Sequence, residues 1–273
     1  MIKTMMTNDE VIKIAMNQCA KDMMCEPEAF LSEGVLVIPM RDCEAVRNRV
    51  QKKSILSFMT CNMVYWGKGI VCTCDSRIAA EMNRAIQPDN AFRNMELCKL
   101  YEFNDILAPL NKQINCMANY LLPDVTADVS VRNDLEICVL RGTDITRLYG
   151  LDGFHNALDY GSCVRNDGRR KDSVAVVCTV DGTVAGVAGA TDDCDSMWQI
   201  GIDVLPEFRR QGIASALVKR CAEEVFAEGK VPYYCSAWSN VLSRKTARAA
   251  GFYPAWVEIA CVGERFLILM PET

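Results

Sequence analysis

Ile202-Asp-Val-Leu-Pro-Glu-Phe-Arg-Arg-Gln-Gly-Ile-Ala214 begins as a strand, turns at Pro206, and carries two arginines and a glycine into the start of a helix. After Gly212, residues Ile213, Leu217, Cys221, Val225 and Phe226 keep helical spacing, and Gly229 stands where a left-handed residue closes a helix. The first turn of such a helix carries backbone N–H groups without internal partners, and the macrodipole makes that end partly positive. Glycine at 212 removes the side chain that would hold a phosphate away, Ala214 keeps the next approach small, and Arg209 and Arg210 add charge. The pattern is that of a pyrophosphate cradle. A dinucleotide turn would carry the three-glycine fingerprint, and a nucleoside triphosphate loop Gly-Lys-Ser/Thr; neither is present. Taken alone, the segment also reads as an ordinary strand-to-helix connection with two surface arginines.

Working outward, Ser173–Val180, Thr183–Gly189 and Met197–Val204 are strand-like runs. Asp181-Gly182 between the first two is a strong hairpin signal, so three antiparallel strands lead into the quoted stretch. Tyr233–Trp238 reads as a buried strand, and strand, turn, helix, strand over 197–238 predicts a right-handed parallel crossover. Asn240 caps a second helix through Ala250, Gly251 closes it, and Val257–Cys261 with Phe266–Met270 forms a last hairpin. Upstream, Leu135–Leu140 is a strand, helical segments are expected over about 144–161, and the loop Arg165–Asp172 reads as a solvated turn. The polar stretch Pro123–Asn133 marks a domain boundary, giving domains 1–132 and 133–273.

The first half is a mixed α/β unit. Thr7-Asn-Asp-Glu10 resembles a capping box, and Val11, Ile12, Ala15, Met16 and Cys19 then share one helical face. Val35–Pro39, Ser54–Phe58 and Gly69–Thr73 are strand-like, Ser76 caps a helix through Ala85, and residues 104–122 follow helical spacing. Most of the 14 methionines lie in this half and are read as adaptable core packing.

Composition removes whole classes of function. A net charge of −5 spread evenly over 273 residues suits neither a nucleic acid nor a membrane surface as partner. The first residues lack the apolar core of a signal peptide, no run reaches the length of a spanning helix, and a cytoplasmic protein is expected. The 15 cysteines are an odd number in a long chain and are read as reduced, mostly buried thiols. Cys72-Thr-Cys74 is one residue short of a zinc knuckle and His155 is the single histidine, so no metal site is expected.

Val204-x-Pro-x-x-Arg-Arg-Gln-Gly-Ile-Ala214 resembles the acyl-CoA-binding motif of the GNAT N-acetyltransferase superfamily, and Asn240, Ser243 and Gly251-Phe252 resemble its second motif. The resemblance covers about 135–273 and is closest to a bacterial branch with an extra amino-terminal half, which a degenerate GNAT-like half would also fit. It implies an α/β (α+β) fold in which a mixed sheet splays between its fourth and fifth strands. The pantetheine arm of acetyl-CoA would lie in the gap against backbone near Ile202 and Val204. Arg209, Arg210, Gln211, Gly212, Ile213 and Ala214 would hold the pyrophosphate, with Asn240 and Ser243 on the far side. The acceptor would be a small-molecule or peptide amine attacking the thioester directly. Positions that often carry the family's base fall on Trp198, Ile200 and Cys235, and that of its tyrosine acid on Ala247; Asp203 and Tyr234 are candidates by proximity. Loss of these proton-handling residues would also suit a noncatalytic acyl-CoA-binding module whose first half recognises a partner.

Overall fold

A computed structural model describes residues 6–40, 60–158, 171–192 and 194–261. In chain order these form α1 (Asn8–Met23), β1 (Val35–Met40), β2 (Cys61–Tyr65), β3 (Ile70–Asp75), α2 (Ala79–Ala85), α3 (Leu97–Leu107), β4 (Cys116–Pro123) and β5 (Glu136–Arg141). There follow β6 (Asp172–Val180), β7 (Thr183–Thr191), β8 (Met197–Val204), α4 (Ile213–Ala227), β9 (Val231–Ala237), α5 (Val241–Ala249) and β10 (Phe252–Cys261). The chain divides into two compact units, Met1–Ala15 with Leu121–Pro254 and Met16–Tyr120 with Ala255–Thr273.

These units differ from the expected division at 132/133, and local hydrogen bonds account for the difference. Asn8 donates to Asp124 Oδ1 at 2.8 Å and accepts from the Val125 amide at 2.9 Å, while the Asp124 amide donates to the Gly251 carbonyl at 2.8 Å. Lys219 Nζ donates to the Val129 carbonyl at 2.6 Å. The polar stretch read as a linker is therefore fastened to the carboxy-terminal strands and helices. Conversely, Val257–Cys261 pairs antiparallel with Cys61–Tyr65 and goes with the amino-terminal strands.

In the first unit the strand order is β9-β8-β7-β6-β5. The hairpin between β6 and β7 turns at Asp181 (φ 49°) and Gly182 (φ 76°), both left-handed as its two-residue connection requires. One sheet face packs under α4 through Ile200, Leu217, Val218, Cys221 and Val225. The other packs against Ile145, Leu148, Phe154, Ala157 and Leu158. A fully buried leucine such as Leu217 contributes roughly 1.5–3 kcal/mol by removal of apolar surface from water. Helix α4 ends as its sequence predicts: Gly229 (φ 70°) lets the Gly229 and Lys230 amides bond back to the Phe226 and Val225 carbonyls.

In the second unit the order is β1-β3-β2-β10, with β1 and β3 parallel and the other pairs antiparallel. Its core joins Met63, Ile70, Cys72, Met82, Phe103, Leu107 and Ile259, so methionine and cysteine fill space as expected. The cysteines among the described residues are free thiols, and Cys61 and Cys72 approach to 3.8 Å between sulfurs. The capping box that opens α1 is formed: the Thr7 amide donates to Glu10 Oε2 at 2.7 Å and the Glu10 amide to Thr7 Oγ1 at 3.2 Å. No helix among the described residues is long and apolar enough to cross a membrane.

Several expectations of local structure are corrected. Residues 104–122 are not a helix: α3 ends at Leu107, Asn111 turns left-handed (φ 54°), and β4 begins at Cys116. Asn104 fixes the exit by accepting the Ile114 amide at 2.7 Å. Ser76 is not the cap of α2, because Asp75 holds that turn by accepting from the Arg77 amide at 2.9 Å, and the helix starts at Ala79. Over 144–158 there is only a 3₁₀ stretch, Gly142–Leu148, followed by irregular chain in which Gly150 and Gly153 have φ of 85° and 89°. The strand β2 is not among the elements expected from the sequence pattern. The runs Ser54–Phe58 and Phe266–Met270, and Arg165–Arg170 of the solvated turn, lie outside the described residues.

Candidate active site

The geometry that matters begins with two parallel strands that part. β8 and β9 pair from Met197↔Val231 to Ile200↔Tyr234, and there the pairing ends although β8 runs to Val204 and β9 to Ala237. β8 keeps its partner β7 as far as Gly186↔Val204. The strand edge from Gly201 to Val204 that faces β9 is therefore left without a ladder, as the splay expected of the fold requires. Ile202 and Val204 both lie on this free edge and are half-buried.

Beyond Val204 the chain makes a 3₁₀ turn at Pro206–Phe208 and enters α4 through exposed residues Arg209 to Gly212. Arg210 has φ 60° and Gly212 has φ 79°, so the turn bends left-handed twice. For arginine that conformation costs on the order of 1–2 kcal/mol, which makes it a deliberate feature of the turn. Gly212 is the N-cap and offers no side-chain hydrogen bond, so the amides of Ile213, Ala214 and Ser215 have no cap. Arg209 folds back, its Nε donating to the Val204 carbonyl at 3.0 Å, and fixes the turn to the end of β8. The sequence missed Arg132. Its Nη1 donates to the Gln211 carbonyl at 3.3 Å, and its Cβ lies 3.7 Å from where a Cβ on Gly212 would stand. Nothing in the linear spacing to Gln211 could have signalled it.

The far side is built by β9 and α5. Asn240 Oδ1 accepts from the Ser243 amide at 3.0 Å and caps α5. Replacing it with alanine is expected to cost about 0.5–2 kcal/mol, read as a lower melting temperature. Tyr234 hydroxyl and Ser243 Oγ meet at 2.9 Å, joining the strand to the helix. Burial pushes the Tyr234 phenol up to about 12, so it stays protonated throughout the neutral range. Two further buried atoms, Ser236 Oγ and Arg244 Nε, have no hydrogen-bond partner among the described residues.

Asp203, expected as a base by proximity, has another occupation. Its Oδ2 accepts from the Asn156 and Ala157 amides at 2.6 and 2.8 Å, and its Oδ1 from Asn156 Nδ2 at 2.8 Å. Three donors tie this carboxylate to the 153–157 segment. Glycines on the sheet make the close approach possible: a Cβ on Gly201 would lie 1.9 Å from the Asn156 carbonyl oxygen, and one on Gly189 1.9 Å from that of Ala157. The segment therefore roofs β8 where it leaves β9, and His155 is exposed on it. None of Trp198, Ile200 and Cys235 is a carboxylate or histidine, and Ala247 is fully buried. No cluster of three or more metal-ligating side chains occurs among the described residues.

Residues 144–253 match the model of the acetyltransferase (GNAT) family. Among solved structures the chain is similar to a GNAT-family protein from Novosphingobium aromaticivorans DSM 12444, at 20% identity and a TM-score of 0.42 over 56% of this chain and 67% of that one. It is also similar to a tandem GNAT protein from the clavulanic acid biosynthesis pathway, at 12% identity and a TM-score of 0.42 over 62% of this chain and 59% of that one. A third is an aminoglycoside N-acetyltransferase in complex with CoA, at 21% identity and a TM-score of 0.34 over 46% of this chain and 91% of that one. No curated protein matches the chain. Residues 144–253 thus belong to the GNAT family of acetyltransferases.

Proposed function

We propose that the protein is an N-acetyltransferase that moves an acetyl group from acetyl-CoA to a small-molecule or peptide amine. The observation that carries this reading is the parting of β8 from β9 after Ile200↔Tyr234, directly before the uncapped start of α4 at Gly212. Acetyl-CoA supplies an activated thioester carbon. The free edge near Ile202 and Val204 offers backbone groups to the amides of a pantetheine arm, and Arg210 to Ala214 offer N–H groups and charge to a pyrophosphate. Asn240 and Ser243 would stand on the opposite side of the arm, near the cap of α5.

In this reading Asp203 orients rather than abstracts. It holds the Asn156–Ala157 backbone as one wall of the acceptor site, and the amine arrives as its neutral fraction or passes its proton through water. Tyr234 stays a phenol and offers a hydrogen bond to sulfur; delivering its proton outright would be uphill, given a thiol near 8.5 and a phenol pushed up to about 12.

A second reading rests on the same residues. With Asp203 tied down and Ala247 buried where the family often has tyrosine, a noncatalytic acyl-CoA-binding module is the alternative. Thiol release from acetyl-CoA across a panel of amines separates the two. Amine-dependent release supports the transferase, whereas tight CoA binding with no release above the uncatalysed rate supports the module.

A further inference from the structure

The second unit holds a group of side chains that the proposed acetyl transfer does not use. Trp66, Trp256 and Tyr120 form a continuous stack, with ring centroids 4.6 Å apart for the two indoles and 4.7 Å for Trp256 and Tyr120. Glu258, two residues along β10 from Trp256, projects from the same sheet face, and its Oε1 accepts from Trp256 Nε1 at 2.9 Å. Tyr120 and Asn62 hydrogen-bond to the same carboxyl. Across the β10–β2 ladder Asn62 stands opposite Ala260, one step along that face.

This arrangement is unbalanced. No cation among the described residues pairs with Glu258, and desolvation pushes its carboxyl above the ordinary range despite three donors. An ionised carboxylate taken out of water without a counter-charge is strongly disfavoured. Asn62 is 3% exposed, and its amide nitrogen donates to the Glu258 carboxyl and approaches Met23 Sδ at 3.5 Å, yet its Oδ1 has no partner among the described residues. Trp66 Nε1 is also buried without a partner among the described residues. Cys116 on β4 is the neighbouring titratable group, and burial first and Glu258 second push its thiol up to about 11, so it brings no charge at neutral pH. Trp66, Tyr120, Cys116 and Glu258 are each only half-buried, so the cluster reaches the surface.

A ligand that completes this group needs several N–H donors for the carboxylate and Asn62 Oδ1, a positive charge to replace the missing counter-ion, and an acceptor for Trp66 Nε1. We propose that the Glu258–Asn62–Trp66 cluster, walled by the stacked rings of Trp256 and Tyr120, is a binding site for a protonated amine that carries a neighbouring hydroxyl. The ammonium pairs with Glu258 and Asn62, the hydroxyl accepts from Trp66, and methylenes lie along the rings. The site shares no residue with the cradle at Gly212, and its occupation does not depend on acetyl transfer.

The test titrates the full chain at neutral pH with 2-aminoethanol, ethylamine and 1,2-ethanediol, following tryptophan fluorescence and calorimetric heat. Saturable binding is expected for the amino alcohol, weaker binding for ethylamine and none for the diol. Glu258→Gln is expected to weaken the amino alcohol at least tenfold while acetyl-CoA affinity and the melting temperature hold or rise. Trp66→Phe keeps a stacked ring but removes the N–H, so it is expected to erase the preference for 2-aminoethanol over ethylamine. That second variant keeps the question answerable if Glu258→Gln does not fold. Equal affinities in both variants, or no saturable amine binding, would overturn the proposal.

Discussion

Gly212→Glu is expected to abolish acetyl-CoA binding while leaving the fold in place. Two facts separate these outcomes. A Cβ at 212 meets nothing nearer than Arg132 Cβ at 3.7 Å, so the side chain has room. Its backbone strain, at φ 79°, is on the order of 1–2 kcal/mol, small against the stability of a domain. The new carboxylate would then sit at the uncapped start of α4, where the macrodipole favours an anion, and would occupy the place a pyrophosphate needs. Arg210→Ala removes one charge-assisted contact and is expected to weaken binding by only about 1–3 kcal/mol, roughly five- to 150-fold. Calorimetry with acetyl-CoA on both variants checks the pair, and native affinity in Gly212→Glu would sink the donor assignment.

That prediction could be written from the sequence because the cradle is local. The glycine, the arginines and the helix they open lie within a dozen residues, and their conformations follow from neighbours along the chain. The same holds for the Asp181-Gly182 hairpin, the Asn240 cap, and the reciprocal bonds of Thr7 and Glu10. What was illegible is what the fold brings together from afar. Asp203 looked like a base because it follows Ile202, yet its partners Asn156 and Ala157 lie 47 and 46 residues away. Arg132 reaches Gln211 across 79 residues. The misread helix over 104–122 has a different cause. Ile114, Met117, Leu121 and Leu122 satisfy helical spacing, but β4 buries both of its faces toward its end, so its apolar residues do not alternate. The compact units depart from the boundary at 132/133 for a physical reason too, since a polar stretch signals a linker only when nothing distant accepts its hydrogen bonds.

Asp203→Asn separates a positioning carboxylate from a base, because the two roles predict different losses. A base at 203 would give a pH profile of kcat/KM with a break near its own pKa, and the amide would remove the break together with most of the rate. A clamp gives another result. Asparagine keeps one oxygen, which can still accept the Asn156 and Ala157 backbone amides, but its NH₂ then faces Asn156 Nδ2, so that donor is left unpaired or must turn away, at a cost of about 1–3 kcal/mol. The 153–157 segment would loosen over Gly201, where a carbonyl packs too closely for even a methyl group, and the wall of the acceptor site would lose its register. The expectation is therefore a rise of roughly tenfold in the acceptor's KM, a smaller change in kcat, unchanged acetyl-CoA affinity, and a pH profile of the same shape. In both native and variant enzymes the rate should climb with pH toward the acceptor's own pKa, since a neutral amine attacks and an ammonium does not. Cys235→Ala should leave this profile where it is. If instead the native profile breaks near pH 6 to 7 and the break is lost in Asp203→Asn, that carboxylate takes the proton; if it is lost in His155→Gln, the exposed imidazole on the clamped segment does, and Asp203 acts through the chain it holds.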